Sequence, residues 1–280
     1  MAFWIGLAIF ILASIVAERL LPPQYKKFMP MLVMVVLTFF GLFRYEIGTD
    51  YDWYIVLFDT VKIDDLYPEP TFLLLVEFLH QFHFSYQVMF IAYELPIMLL
   101  LWSGIRYYTK DTEIQILIVA LYYCLQYFFS LNGIRQGLSM VLIFWGYRYC
   151  LERSLWKYLL VVALAASMHY SAVVAAVLYF VPNRVFSWYK YAIVFILTFI
   201  VFKLNIVLAF LSALFGVLQV EGRYLNYLSD VDSVKMTGLL MFVKFALFSI
   251  ARIAILELKP QYKGLLNLWL IGLLGHFLFA

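Results

Sequence analysis

Arg44, Arg135, Arg223 and His169 are the side chains of this chain whose types and placement could do chemistry. Arginine forks match phosphate oxygens two at a time and keep their charge, so a set of them suits a diphosphate. An imidazole exchanges a proton near neutral pH and suits a general base. Together they fit a transfer in which a diphosphate departs and an acceptor hydroxyl loses its proton, with arginines carrying the charge that a divalent ion would otherwise take. The candidate assignment is His169 as catalytic base and Arg44, Arg135 and Arg223 as diphosphate ligands. Asp50, Tyr51, Asn132, Gln136 and Tyr170 are the candidate substrate contacts.

What singles these residues out is the apolar chain around them. Asn132-Gly133-Ile134-Arg135-Gln136-Gly137 interrupts two long apolar runs. An arginine at mid-helix costs about 2.5–3.5 kcal/mol in a bilayer, so one kept beside a helix break faces a polar cavity or an anionic partner. His169 follows the apolar piece 155–168, whose rise of about 21 Å falls short of a hydrocarbon core about 30 Å thick. The turn at His169 therefore sits below the membrane surface. Arg44-Tyr45-Glu46-Ile47-Gly48-Thr49-Asp50-Tyr51 leaves a helix and turns at Gly48. Each has a plain alternative: Arg44 and Arg135 snorkelling to the interface, and His169 as a satisfied packing residue. Arg223 alone says little, and Lys244 is either a further cation or a snorkelling side chain.

The elements that must position them belong to a membrane protein. Of 280 residues, 66% are hydrophobic, 20% aromatic and only 13% charged, with a mean hydropathy of +0.92. The reading is an all-α polytopic membrane protein, one transmembrane domain over 1–280 with roughly ten transmembrane helices plus two short interfacial or re-entrant helices. Spans are expected at 3–21, 29–43, 86–105, 113–130, 134–151, 188–203, 237–256 and 264–280. Shorter apolar pieces fall at 71–83, 155–168, 170–182 and 206–219. The first run lacks a basic stretch before it and is expected to be a retained helix. The longest polar segment, 44–70, holds seven acidic residues and is expected to be non-cytoplasmic. Assigning alternate loops to opposite sides collects thirteen Lys and Arg on one side against six on the other. By the positive-inside rule, Arg44, Arg135, His169 and Arg223 then share the non-cytoplasmic end.

Other classes drop out. A net charge of +3 from scattered basic residues excludes a nucleic-acid partner. Cys124 and Cys150 sit in apolar runs as packing residues, and His80, His83 and His276 form no ligand set, so neither metal nor cofactor is implied. There is no Gly-x-Ser-x-Gly elbow and no phosphate-binding glycine loop.

Arg44 with Gly48-Thr49-Asp50-Tyr51, then Asn132-Gly133-Ile134-Arg135-Gln136, then His169-Tyr170-Ser171-Ala172, taken in that order, resembles the EpsG family of bacterial exopolysaccharide polymerases. That family is similar in role to the Wzy-type O-antigen and capsule polymerases, and the resemblance covers about residues 30–260. It implies polymerisation of undecaprenyl-diphosphate-linked repeat units at the periplasmic or external face of a bacterial inner membrane. Membrane lipid and a chain-length regulator are the other implied partners. It also supports Arg44, Asp50, Arg135, Gln136 and His169 as functional positions. Such proteins usually continue through further helices, whereas this sequence stops at Gly275–Ala280 inside an apolar run, which implies a short member or a shortened chain. Three other activities stay open on the residues: a lipid-linked oligosaccharide transporter, an O-antigen ligase, and an acyltransferase using His169 as base.

Overall fold

Runs of apolar residues ended by prolines and glycines become helices, and no strand occurs among the described residues. The computed structural model describes residues 2–63, 68–182, 184–203 and Asn267. The helices are α1 (Ala2–Leu20), α2 (Pro23–Lys26), α3 (Phe28–Leu42), α4 (Tyr51–Thr60), α5 (Pro70–Gln81) and α6 (Tyr86–Tyr108). They continue with α7 (Thr112–Tyr122), a π-turn (Tyr123–Tyr127), α8 (Phe128–Asn132), α9 (Ile134–Gly146), α10 (Arg148–Leu151), α11 (Leu155–Met168), a 3-10 segment (Tyr170–Phe180) and α12 (Trp188–Lys203).

The protein is all-α, and its apolar helices make it a membrane protein. Among the described residues, four helical stretches are long and apolar enough to cross a bilayer: Phe3–Leu20, Pro23–Leu42, Tyr86–Tyr108 and Thr112–Asn132. The run at 134–151 is not one such helix, because it divides at Tyr147 into α9 and α10. The run at 188–203 is grouped with the shorter apolar helices. The spans expected at 237–256 and 264–280, the short piece at 206–219, and Arg223 lie outside the described residues.

The polar segment 44–70 contains more order than its charge suggests. Tyr51, Tyr54, Leu57 and Phe58 recur at helical spacing and bury one face of α4, while Asp52 faces outward. α5, expected as an interfacial or partly buried helix over 71–83, forms and buries Phe72, Leu73, Val76 and Leu79. Pro70 at its first turn explains where it starts, since the missing N–H would have had no helical partner there.

The chain divides into two compact units, 1–179 and 180–280. In the first, α6 packs along both α9 and α3, α9 packs equally along α11, and α5 rests on α11 and α6. Leu37, Phe90, Ile97 and Ile134 are buried at these contacts, whereas Ile9, Leu12, Leu99, Leu125 and Leu160 are exposed, as lipid-facing positions must be. Inside the span Thr112–Asn132, two buried hydroxyls find partners. Tyr127 donates to the Leu37 carbonyl at 2.7 Å, and Tyr122 pairs with Ser130 at 2.9 Å. In the second unit, Tyr191 donates to Asn267 at 2.8 Å, and the Asn267 amide donates to the carbonyls of Pro182 and Arg184.

Candidate active site

Gly133 ends α8 and begins α9, and the chain around this break carries the first half of the site. The Asn132 Oδ1 accepts the Asp50 backbone N–H at 2.9 Å and the Thr49 hydroxyl at 3.0 Å. One amide oxygen thus ties the turn after α3 to the helix break more than eighty residues later. Gly48 makes the turn at φ +100°, where a side chain would be strained, and a Cβ there would lie 2.9 Å from that same Asn132 oxygen. Arg44, 2% exposed, donates through Nη1 to the Leu131 carbonyl at the end of α8, and its guanidinium lies 4.2 Å from the Phe90 ring centre. Tyr51 stacks on the same ring at 5.0 Å. In this arrangement Arg44, Tyr51 and Asn132 brace the break.

The second half is built on a residue outside the sequence-derived set. Glu69 caps the start of α5, yet its carboxylate makes no capping hydrogen bond. It turns instead to two partners from distant segments. Its Oε2 pairs with Arg135 Nη1 at the first turn of α9, and its Oε1 lies 2.8 Å from His169 Nδ1 at the end of α11. The Tyr170 backbone N–H also points to Oε1, at 3.3 Å. The Glu69 side chain is 3% exposed and that of Arg135 9%, while that of His169 is 29% exposed, which makes the imidazole the reachable member. Arg135 is further flanked by the rings of Tyr54 and Phe72, with centres 5.7 and 5.4 Å away.

The charges explain the arrangement. Burial alone would raise the Glu69 carboxyl, but the hydrogen bond with His169 and the Arg135 charge outweigh it and hold the group below its ordinary value. Glu69 is therefore ionised at neutral pH and only accepts. With a neutral imidazole, Arg135, Glu69 and His169 sum to zero; once the imidazole takes a proton they sum to +1. A second acid, Glu94 in α6, is fully buried. Among the described residues no three His, Cys, Asp or Glu side chains are grouped so as to hold a metal ion.

Of the sequence-derived residues, the structure brings Arg135, His169 and Tyr170 together through Glu69. It joins Asp50 to Asn132, and sets Arg44 against the residue before Asn132. Gln136 follows Arg135 in the first turn of α9 and is half-buried. Tyr170 presents an exposed ring. Two functional candidates were missed. Glu69 lay among seven acids of a polar segment, and its signal was the Glu-Pro step opening an apolar helix. Glu94 had a plainer signal, an acid in the middle of a span.

The model of the EpsG family matches residues 27–280. No curated protein and no solved structure matches the chain.

Asn132→Ala removes the acceptor shared by Asp50 and Thr49. The loss of these hydrogen bonds is expected to weaken the clamp by about 1–3 kcal/mol. Hydrogen exchange should then accelerate at the Asp50 amide while the amides of central α6 stay protected; unchanged exchange at Asp50 would contradict the clamp.

Proposed function

The chain belongs to the EpsG family, whose role is that of an exopolysaccharide polymerase, and on that premise we propose that it is a glycosyltransferase acting on lipid-linked repeat units. The donor is a glycan on a polyprenyl diphosphate, undecaprenyl diphosphate by family likeness. The acceptor is a hydroxyl on the sugar of another lipid-linked repeat. The reaction takes place at the outer face of the cytoplasmic membrane, so both lipid tails stay in the bilayer while the sugars meet at its edge.

One observation supports this reading above the others: a buried carboxylate joins Arg135 and His169, which lie in different helices' ends and are 34 positions apart in the chain. His169 is the base. The acceptor oxygen forms a new bond to the anomeric carbon of the donor as the bond from that carbon to the diphosphate breaks. The proton goes to His169, and the electron pair leaves on the diphosphate. Arg135, across Glu69 from the imidazole, supplies positive charge as the diphosphate gathers negative charge. The net gain of one positive charge on proton uptake acts in the same direction. Arg44 and Arg223 are assigned to the same anion; on its present contacts Arg44 contributes by holding the helix break in register. Asp50, Gln136 and Tyr170 are the proposed sugar contacts. The transfer needs no divalent ion in this scheme.

Arg44, Arg135, Glu69 and His169 meet at one helix break and one neighbouring helix end. That favours transfer at a fixed site over passage along a cavity, where cations would be strung through the bundle.

The test uses purified protein in nanodiscs with lipid-linked repeat units extracted from cells that lack the polymerase. His169→Ala and Arg135→Ala are each expected to lower chain extension by about 10²-fold or more, the range for losing a general base or an electrostatic stabiliser. In cells the same variants should accumulate single lipid-linked repeats. Wild-type ladders are expected to persist in EDTA at about the same rate, as arginine-based charge stabilisation requires. Normal ladders from both variants would remove these residues from the mechanism.

A further inference from the structure

We infer that Glu69 is the positioning residue of the transfer. Its Oε1 holds His169 in the tautomer with hydrogen on Nδ1, leaving Nε2 to take the acceptor proton, while its Oε2 ties that imidazole to Arg135. The inference rests on the reading of His169 as the base, and adds to it which nitrogen reacts and what fixes it.

The geometry leaves little choice of tautomer. The contact from His169 Nδ1 to Glu69 Oε1 is 2.8 Å, a good hydrogen-bond length. An ionised carboxylate has no proton to give, so the hydrogen in that contact belongs to Nδ1. The neutral imidazole then carries its lone pair on Nε2, where a base needs it. The carboxylate is itself held in place. Arg135 takes Oε2, the Tyr170 N–H takes Oε1, and the side chain is 3% exposed, so water does not compete for it.

The backbone around Glu69 fits this role. Glu69 sits at ψ 151°, extended as a residue before proline prefers, and its carboxylate is not spent on the N–H groups of α5. Three segments are thereby locked to one side chain: the start of α5, the start of α9 and the end of α11. The arrangement follows the logic by which a buried acid orients a catalytic histidine in hydrolases, with an arginine added on the second oxygen.

Glu69→Gln separates positioning from packing, because it keeps the shape of the side chain. Arg135 can only donate, so it will claim the amide oxygen of the glutamine. The amide nitrogen then faces His169 and must donate to Nδ1. That forces hydrogen onto Nε2, and the base is lost although the contacts to Arg135 and His169 are retained and only the 3.3 Å hydrogen bond from the Tyr170 N–H loses its acceptor.

The experiment has two readouts. Protein labelled with nitrogen-15 in its histidines is examined by solid-state NMR in lipid, with the His169 signal identified by its absence from His169→Ala. Turnover is measured on lipid-linked repeat units extracted from cells that lack the polymerase. Wild type is expected to show the Nδ1–H tautomer and Glu69→Gln the Nε2–H tautomer. Glu69→Gln should lose about 10²- to 10⁴-fold in kcat, the scale on which a wrong histidine tautomer acts, with KM changed less than about threefold. Glu69→Asp, which keeps a carboxylate, should keep the Nδ1–H tautomer and recover part of the rate.

An Nε2–H tautomer in wild type would overturn the inference even if Glu69→Gln failed to fold. So would wild-type turnover in Glu69→Gln alongside an inactive His169→Ala, and the function proposed above would then survive. Normal turnover in both variants would instead remove the base itself.

Discussion

A single buried carboxylate answering two positively polarised partners is the constraint on which the rest of the first unit depends. Taking Glu69 out of water costs several kcal/mol unless both its oxygens are matched, and breaking such a buried pair by removing one partner typically costs about 3–5 kcal/mol. The match requires the first turn of α9 and the end of α11 to arrive at the start of α5 within hydrogen-bond distance. Helix lengths follow from that requirement. α11 stops at Met168, about 21 Å after it begins, so His169 is delivered to the carboxylate. α9 begins at Ile134, so Arg135 stands in its first turn.

Around this centre the chain is braced by contacts that do no chemistry of their own. The Asn132 oxygen holds the Gly48–Asp50 turn, and Arg44 holds the Leu131 carbonyl, so the helix break between α8 and α9 cannot drift relative to the end of α3. Glu69 and Arg135 stand with the half-buried histidine, while Glu94 and Arg44 are fully enclosed. Buried Arg135 is answered by the Glu69 carboxylate, as a low-dielectric interior demands.

The sequence carried the class of the protein, the four long apolar helices and the importance of Arg135 and His169 in physical terms, because a charge or an imidazole inside an apolar run is expensive and has to be explained. It did not carry the acid that links them. Glu69 lies in a segment already rich in acids, where one more carboxylate gives no energetic signal, and only the fold shows that it is buried. The roles suggested for Arg44 and Asn132 by residue type also needed coordinates. An arginine fork and a carboxamide serve a substrate or a helix end equally well, and here they are seen on the backbone of the break and the turn. The helix within 44–70 was obscured for a similar reason, since Asp52 and Asp59 hide the apolar stripe of Tyr51, Tyr54 and Leu57.

The most direct measurement is the rate of repeat-unit transfer in a double-mutant cycle of Glu69→Ala and His169→Ala, with correct folding verified for each protein. If Glu69 acts through His169, the double variant will transfer no more slowly than His169→Ala alone, so the two losses will fail to multiply. Losses that multiply as independent effects would mean that the two residues act separately, and would contradict a site organised on their shared hydrogen bond.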